Sequence, residues 1–545
     1  MGKIKMKKNI MGFGAGSLLF LMQGVAFADI QSYENFAKNP KNIQSLDKAF
    51  DEMKKRNNAA HDSKDFRTSL QYWANIHGYF AKDLSTDPNA KVLKDTIKNK
   101  VGDCFSEAFE NKSKEEIELC ITYTKYYTAI RNQTVSDDKI AQDVWGSCPH
   151  GSDMFLPWHR LYLHFFNKTL KKASGSTEFQ LPYWKYEDNY DGETFSVALP
   201  TQFTKPASSV YSQYRTKGLN TGQQRITAYM NGKGDGVDIL ASNAFEAVDF
   251  FSKEKNEKGI KGFSNEIEGN PHGMMHCGVG ANCIAPYIGL VPAAGNDPIF
   301  YLHHRNIDRL WQKWMETKSN GEEITLEWVK NNLGMDPAWF EKEMIFVDEN
   351  GNKVTVKVAD AFSPEYMPKY DDLDLKNTEH SLGALKAISS PLGSHESFDL
   401  KSTAILGQMP EKINLAAPAK NLKFNLNNKP AESFLKLENI ELKNNPLLTY
   451  GVYLVNKENS KKSYLMTFSY FGVDEGGHGH HSGAKLNDVQ LNISDNLKEI
   501  GATNFDQLQL IFKPTDLTTK PVFTQQNDAG ITIGKISFYS KPLKE

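Results

Sequence analysis

Cysteine is scarce in this chain, with five among 545 residues. That excludes a small disulfide-built scaffold, and the odd count leaves at least one thiol without an intrachain partner. An excess of charge of either sign is missing too. Basic residues number 64 and acidic residues 66, well mixed, for a net charge of −2, so there is no electrostatic footprint for nucleic acid or an anionic membrane. A small-molecule partner is expected instead. Beyond residue 28 no apolar run is long enough to cross a bilayer, and no internal repeat points to a solenoid. Carboxylates are lacking where a di-iron bundle would place Glu-x-x-His. A zinc protease needs Glu within His-Glu-x-x-His, where this chain has Gly273 and Met274.

What is present begins with an amino-terminal leader. Lys3, Lys5, Lys7 and Lys8 precede an apolar run from Met11 to Phe27 that closes on Ala26-Phe27-Ala28. This is the order of a signal peptide over residues 1–28, cleaved after Ala28, and it implies a secreted or periplasmic protein with no membrane anchor. The remaining length suits two or three domains. Helical patterning runs from Ser45 to Phe80 and resumes, charged and amphipathic, through Ala81–Ala141. Helices dominate to about Thr317. Met344–Val358 then reads as two strands around the turn Glu349-Asn350-Gly351-Asn352. The expected organisation is a mainly α domain over 29–379 with this β-containing segment at about 337–379, a linker over 380–412, and a β-sandwich over 413–545. The sandwich is signalled by Val489, Leu491 and Ile493 in alternation and by apolar runs at Tyr450–Val455, Leu508–Phe512 and Ile531–Phe538.

The fourteen histidines are unevenly spread. His150, His159 and His164 form one cluster, and His272, His276, His303 and His304 another, which suggests two metal half-sites. Four residues separate His272 from His276, so on a helix both rings share a face. Asp297-Pro298 is a helix start, followed by IFYLHHRNIDRLWQKWM. His303 falls on its apolar face with Phe300, Ile307, Leu310 and Trp314, as a core histidine would, whereas His304 lies beside Asp308 and Trp311 and is the better third ligand. In the first cluster His164 is turned roughly 140° from His159 and cannot easily share its metal. His150 can reach back from the preceding loop, and the third ligand must come from upstream, where His77 and His61 are the options. Three neutral imidazoles per ion suit copper. Three further histidines, His478, His480 and His481, sit in a Gly-rich turn and read as a solvated loop.

The stretches HGSDMFLPWHR, LPYWKYED, NPHGMMH and NDPIFYLHHRNIDRLW resemble, in order, the signatures of the tyrosinase, catechol oxidase and molluscan haemocyanin family. Four ordered matches make the resemblance specific. It implies an antiparallel four-helix bundle holding two copper ions, one by His77, His150 and His159, the other by His272, His276 and His304. The region from Pro337 and the last part of the chain are similar to plant polyphenol oxidases, whose carboxy-terminal β domain shields the copper site. Latency is therefore expected here.

The resemblance also implies a role for several other residues. Cys148, in Cys-x-His with His150, matches the pattern in which sulfur bonds covalently to the imidazole. The remaining cysteines then pair as Cys104 with Cys120 and Cys277 with Cys283. Glu268 matches an acidic residue that holds a water near the coppers, placing a base by the phenolic proton. Three departures stand out: Asn167 where relatives often carry Glu, Val291 at the gate that is Phe in plant catechol oxidases, and Gly273 where many monophenol-hydroxylating relatives have Asn. The implied reaction is oxidation of o-diphenols to o-quinones with O2, with weak monophenol hydroxylation. The rivals are a haemocyanin-like oxygen carrier with the same metals and, more remotely, a zinc hydrolase.

Overall fold

The computed structural model describes residues 29–78, 138–230, 236–253, 260–281 and 287–375, a few positions within 117–125 and 283–285, and most strands between 396 and 542. The leader 1–28, Cys104 and the histidines at 478, 480 and 481 lie outside the described residues.

Side-chain caps set where the first helices begin. Asn39 accepts the Lys41 N–H at 3.1 Å ahead of α1 (Pro40–Arg56), and Ser69 accepts the Tyr72 N–H at 3.1 Å ahead of α2 (Leu70–His77). The helical stretch expected over Ser45–Phe80 is thus interrupted. Ser63 bonds locally, accepting the Phe66 N–H, and Asn57 accepts the Gln71 N–H at the start of α2, in place of continuing the helix.

Two long helices form the centre. Helix α3 (Phe155–Ser174) ends at Gly175 and α5 (Ile299–Ser319) at Asn320, both in the left-handed conformation that closes a helix. Between them in sequence comes the short α4 (Met274–Val279). Helices α3 and α5 are clasped by a buried pair, Arg160 Nε donating to Asp308 Oδ1 at 2.8 Å, with the guanidinium over the Trp311 ring and the Tyr370 hydroxyl donating to the other carboxylate oxygen at 2.6 Å. Phe166 and Tyr301 stack at 3.6 Å across the same seam. At the start of α5, Asp297 accepts from Ile299 N–H at 3.1 Å and is itself gripped by Arg215, at 2.8 and 2.6 Å. The helix start read at Asp297-Pro298 is where the sequence placed it.

Strand β1 (Ile226–Tyr229) packs against α4. The expected hairpin forms from β2 (Glu343–Val347) and β3 (Lys353–Lys357), with Met344 opposite Val356. Its turn needs Gly351, at φ +71°, since a Cβ there would meet the Lys64 carbonyl oxygen at 2.7 Å.

The carboxy-terminal region holds two antiparallel sheets. The first runs β10 (Ala484–Leu486), β7 (Ala431–Leu442), β13 (Ile531–Pro542), β4 (Glu396–Lys401), with β11 (Val489–Asn492) also on β7 and β5 (Ala404–Leu406) also on β13. The second runs β9 (Lys462–Phe468), β8 (Thr449–Asn456), β12 (Leu508–Thr515), β6 (Glu411–Asn414). Alternate residues are buried, Leu435 and Leu437 in one sheet, Val452, Leu454, Leu510 and Phe512 in the other, and helix α6 (Ser494–Ile500) touches both. Strands β4 and β5 fall inside the interval 380–412 read as linker. They are held there by the last strand, Phe398 opposite Phe538 and Ile405 opposite Thr532. The two regions meet at β1, where Thr227 N–H donates to the Leu517 carbonyl at 3.0 Å and Tyr229 lies edge-on to Tyr464 at 5.9 Å.

Candidate metal centre

Seven buried histidines converge where α2, α3, α4 and α5 approach one another. His77 closes α2, His159 lies in the first turns of α3, His276 is in α4 with His272 just ahead of it, and His303 and His304 are in α5. His150 comes from the loop before α3, and is 9 % exposed, while the other six are at most 2 % exposed. Donor atoms of His272, His276, His303 and His304 lie within 4.8 Å of one another, as do those of His77, Cys148 and His150, and those of His77, His159 and His304. The sets touch. His159 and His304 stack at 4.2 Å and 10°, which puts His304 within reach of both.

Main-chain carbonyls fix the rings. Nδ1 of His77 lies 3.2 Å from the Val291 oxygen, that of His159 2.8 Å from Phe155, that of His272 3.0 Å from Glu268, and that of His276 2.7 Å from Ile288. A carbonyl only accepts, so each of these nitrogens carries the proton and leaves Nε2 as a lone-pair donor. Nε2 of His77 is buried without a hydrogen-bond partner, and those of His276 and His304 face each other at 3.3 Å. Burial pushes the imidazoles of His77, His159, His272, His276 and His304 well below their ordinary range. They are therefore neutral, the form that binds a metal.

Close backbone approach puts the first of these carbonyls in place. A Cβ on Gly295 would meet Ala74 Cα at 2.8 Å, and one on Gly78 would meet the Val291 oxygen at 2.9 Å, so bare glycines let the turn Val291–Asn296 lie directly on α2. Phe155 packs on His159 and His272 at 4.6 and 4.8 Å, and Phe300 on His77 and His304 at 4.7 and 4.3 Å. These two rings wall the donors from water.

Of the two upstream options, His77 joins the cluster. His61 is exposed, stacks on Phe66 at 4.6 Å, and belongs to none of the donor groups. His164 faces Tyr366 at 4.5 Å, away from the cluster, as its rotation requires. His303 is buried as its helix face predicts, yet it is more than packing. Its Nδ1 is 2.5 Å from the Tyr186 hydroxyl, its ring lies parallel to His272 at 5.4 Å, and its Nε2 has no hydrogen-bond partner. Helical projection alone cannot reveal a partner so far upstream.

Cys148 is a buried free thiol, its Sγ 3.9 Å from His150 Nε2 and 3.4 Å from His159 Nε2. Cys277 and Cys283 form a disulfide, and Cys120 is disulfide-bonded. Glu268 is buried, its Oε1 accepting the Gly151 N–H at 2.7 Å. Burial, against the pull of that hydrogen bond, lifts its carboxyl to about 8. Gly273 and Val291 are both buried. Asn167 has taken a framework task, accepting from Leu181 N–H at 2.8 Å and donating to Gln180 at 2.6 Å.

Residues 67–317 match the family described as the common central domain of tyrosinase. Over that stretch the chain is similar to tyrosinases. A second match, over residues 394–541, is to a domain of unknown function, DUF7868, and it takes in strands β4 and β5. Among relatives of this tyrosinase-like chain, a polyphenol oxidase of Malus domestica, described as chloroplastic, is 26 % identical over 398 residues, covering 67 % of this chain and 64 % of its own length. A tyrosinase from a Hahella species is 23 % identical over 443 residues, 74 % of this chain and 86 % of that one. A recombinantly expressed latent aurone synthase (polyphenol oxidase) superposes with a TM-score of 0.51 at 17 % identity, over 95 % of this chain and 90 % of its own, so the fold is shared through the carboxy-terminal sheets. The tyrosinase-like donor set, buried imidazoles with the Cys148 thiol beside them, fits a pair of copper ions. No helix among the described residues is long and apolar enough to cross a membrane.

Proposed function

We propose that this chain is a polyphenol oxidase, oxidising catechols to o-quinones with O2 through two copper ions held by His77, His150 and His159 and by His272, His276 and His304. The observation that carries this reading is the convergence of buried imidazoles whose Nδ1 atoms are tied to carbonyls. A bound copper pair supplies the redox chemistry; the residues supply geometry, dryness and proton handling. The four ligand-bearing helices read as the family's bundle. Phe155 and Phe300 exclude water, and Val291 leaves room at the entrance for a phenol ring. Glu268 stands beside the cluster to take a phenolic proton, which is otherwise lost only near pH 10 or so. Gly273 offers no side chain to orient a water for that step, so catechols are favoured over monophenols.

Three further readings belong with this function. Cys148 lies against His150, in support of a thioether: a C–S bond replaces one S–H and one ring C–H, and O2 takes up the two electrons and two protons. The region 413–545 caps the site, supported by the Thr227–Leu517 and Tyr229–Tyr464 contacts beside α4. The leader 1–28 and the Cys277–Cys283 disulfide support export to the periplasm or beyond.

The test is oxygen uptake and quinone colour on copper-loaded protein with catechol and with tyrosine, before and after limited proteolysis within 380–412. Catechol turnover that rises after cleavage is expected. Reversible O2 binding without quinone would make this a haemocyanin-like carrier, and protein that holds zinc in preference to copper would end the assignment. A tryptic peptide with Cys148 and His150 both unmodified in copper-loaded protein would dismiss the thioether.

A further inference from the structure

We infer that Glu268 is a positioning residue that joins the two halves of the metal centre by accepting two hydrogen bonds, one at its side chain and one at its backbone carbonyl. The inference rests on the binuclear reading above and concerns what sets the relation between the halves. Oε1 accepts the Gly151 N–H at 2.7 Å. Gly151 directly follows His150 and turns the chain at φ +63°, a conformation that glycine adopts without strain. The carbonyl oxygen of the same residue accepts Nδ1–H of His272 at 3.0 Å. One residue thus holds the loop carrying a donor of the first set and the ring of a donor of the second.

The geometry narrows how the halves can move. His150 and His272 lie 6.2 Å apart, ring to ring. Their separation depends on what lies beneath. Phe155 supplies an apolar strut, touching the rings of both His159 and His272, but a ring contact is non-directional and tolerates sliding. The Glu268 carboxyl adds direction: its oxygen accepts a short, oriented hydrogen bond from the Gly151 N–H. Without it the turn at Gly151 loses an oriented hold on the segment ahead of α4, and His150 moves with the turn.

This assignment separates from proton transfer by chemistry. Glutamine at 268 keeps an acceptor oxygen at the same reach but cannot act as a base. Alanine removes both. The experiment measures copper content and Cu(I) affinity, by competition with a chromophoric chelator, in full-length wild-type protein and in the Glu268→Gln and Glu268→Ala variants. Amide hydrogen exchange across peptide 148–154 is followed in the metal-free forms. For Glu268→Ala the expected result is about tenfold or more weaker binding of one copper, in line with the loss of an outer-shell partner, together with faster exchange at Gly151. Glu268→Gln retains both coppers and slow exchange. Wild-type affinity and exchange in Glu268→Ala would overturn the inference while leaving the binuclear reading intact. Equal losses in the two variants would overturn it as well, by assigning the effect to charge. Wild-type protein that binds fewer than two coppers would instead strike at the binuclear reading itself.

Discussion

Replacing Asp297 by Asn isolates a charge at the root of the helix that carries His303 and His304. The Arg215 and Asp297 side chains are 0 % and 1 % exposed. Their two hydrogen bonds, at 2.8 and 2.6 Å, neutralise a guanidinium whose remaining partners are the uncharged oxygens of Phe203, Val210 and Asn220. Asparagine keeps an oxygen for the Ile299 N–H, so the helix start survives; what is lost is the countercharge. Breaking a buried pair by removing one partner costs about 3–5 kcal/mol, or roughly two to three and a half powers of ten in the folding equilibrium. The assay is urea unfolding of the metal-free protein followed by tryptophan fluorescence, since Trp311 and Trp314 lie on the same helix. Asp51→Asn serves as the control. Its pair with Lys55 spans 2.7 Å, but the side chains are 66 % and 56 % exposed, so its midpoint should stay at the wild-type value. If Asp297→Asn shifts the midpoint no further than Asp51→Asn does, the reasoning from burial is refuted.

Three other outcomes are expected. Replacing His159 or His304 by Ala removes about one copper and nearly all catechol turnover, and a His304 variant that keeps both coppers and full activity would contradict the ligand set. Asp238, raised by burial from 3.8 to about 6 despite hydrogen bonds from Ser242 and Leu240, holds its proton more tightly folded than unfolded. Its contribution is therefore complete below about pH 4 and is lost as pH rises to about 6, roughly 3 kcal/mol in all; across that window the unfolding midpoint of metal-free wild-type protein should fall relative to that of Asp238→Asn, in which the buried neutral histidines act equally. Gly273→Asn should raise the initial rate on tyrosine relative to its catechol counterpart, and comparable rates on the two in the unmodified enzyme would remove the basis for that change.

Local signals carried much of this architecture. Asp297-Pro298 announces α5, the four-residue spacing of His272 and His276 announces a shared face, and Glu349-Asn350-Gly351-Asn352 announces a hairpin, because each is decided by neighbours in sequence. Long-range pairing is where local reading stops. Strands β4 and β5 sit in a stretch whose lack of clear periodicity predicts a linker, since what makes them strands is the last strand, more than a hundred residues away. His303 shows the same limit in the site. Its helix face correctly predicts burial, but its tie to Tyr186 and its stacking on His272 depend on segments brought together only by the fold.

The carbonyls of Phe155, Glu268, Ile288 and Val291 have an evolutionary consequence. Every residue type has a main-chain oxygen, so the acceptor that orients each imidazole survives a change of side chain at those positions. Val291 is the plainest case: its oxygen faces His77, while its side chain stands where the proposed entrance is. Drift or selection can enlarge, narrow or recharge that entrance without altering the bond that orients the ring. Under the proposed function, a lineage can thereby explore new phenols at position 291 while its metal chemistry stays constant, provided that Gly78 and Gly295 continue to let the backbone of that turn lie against α2.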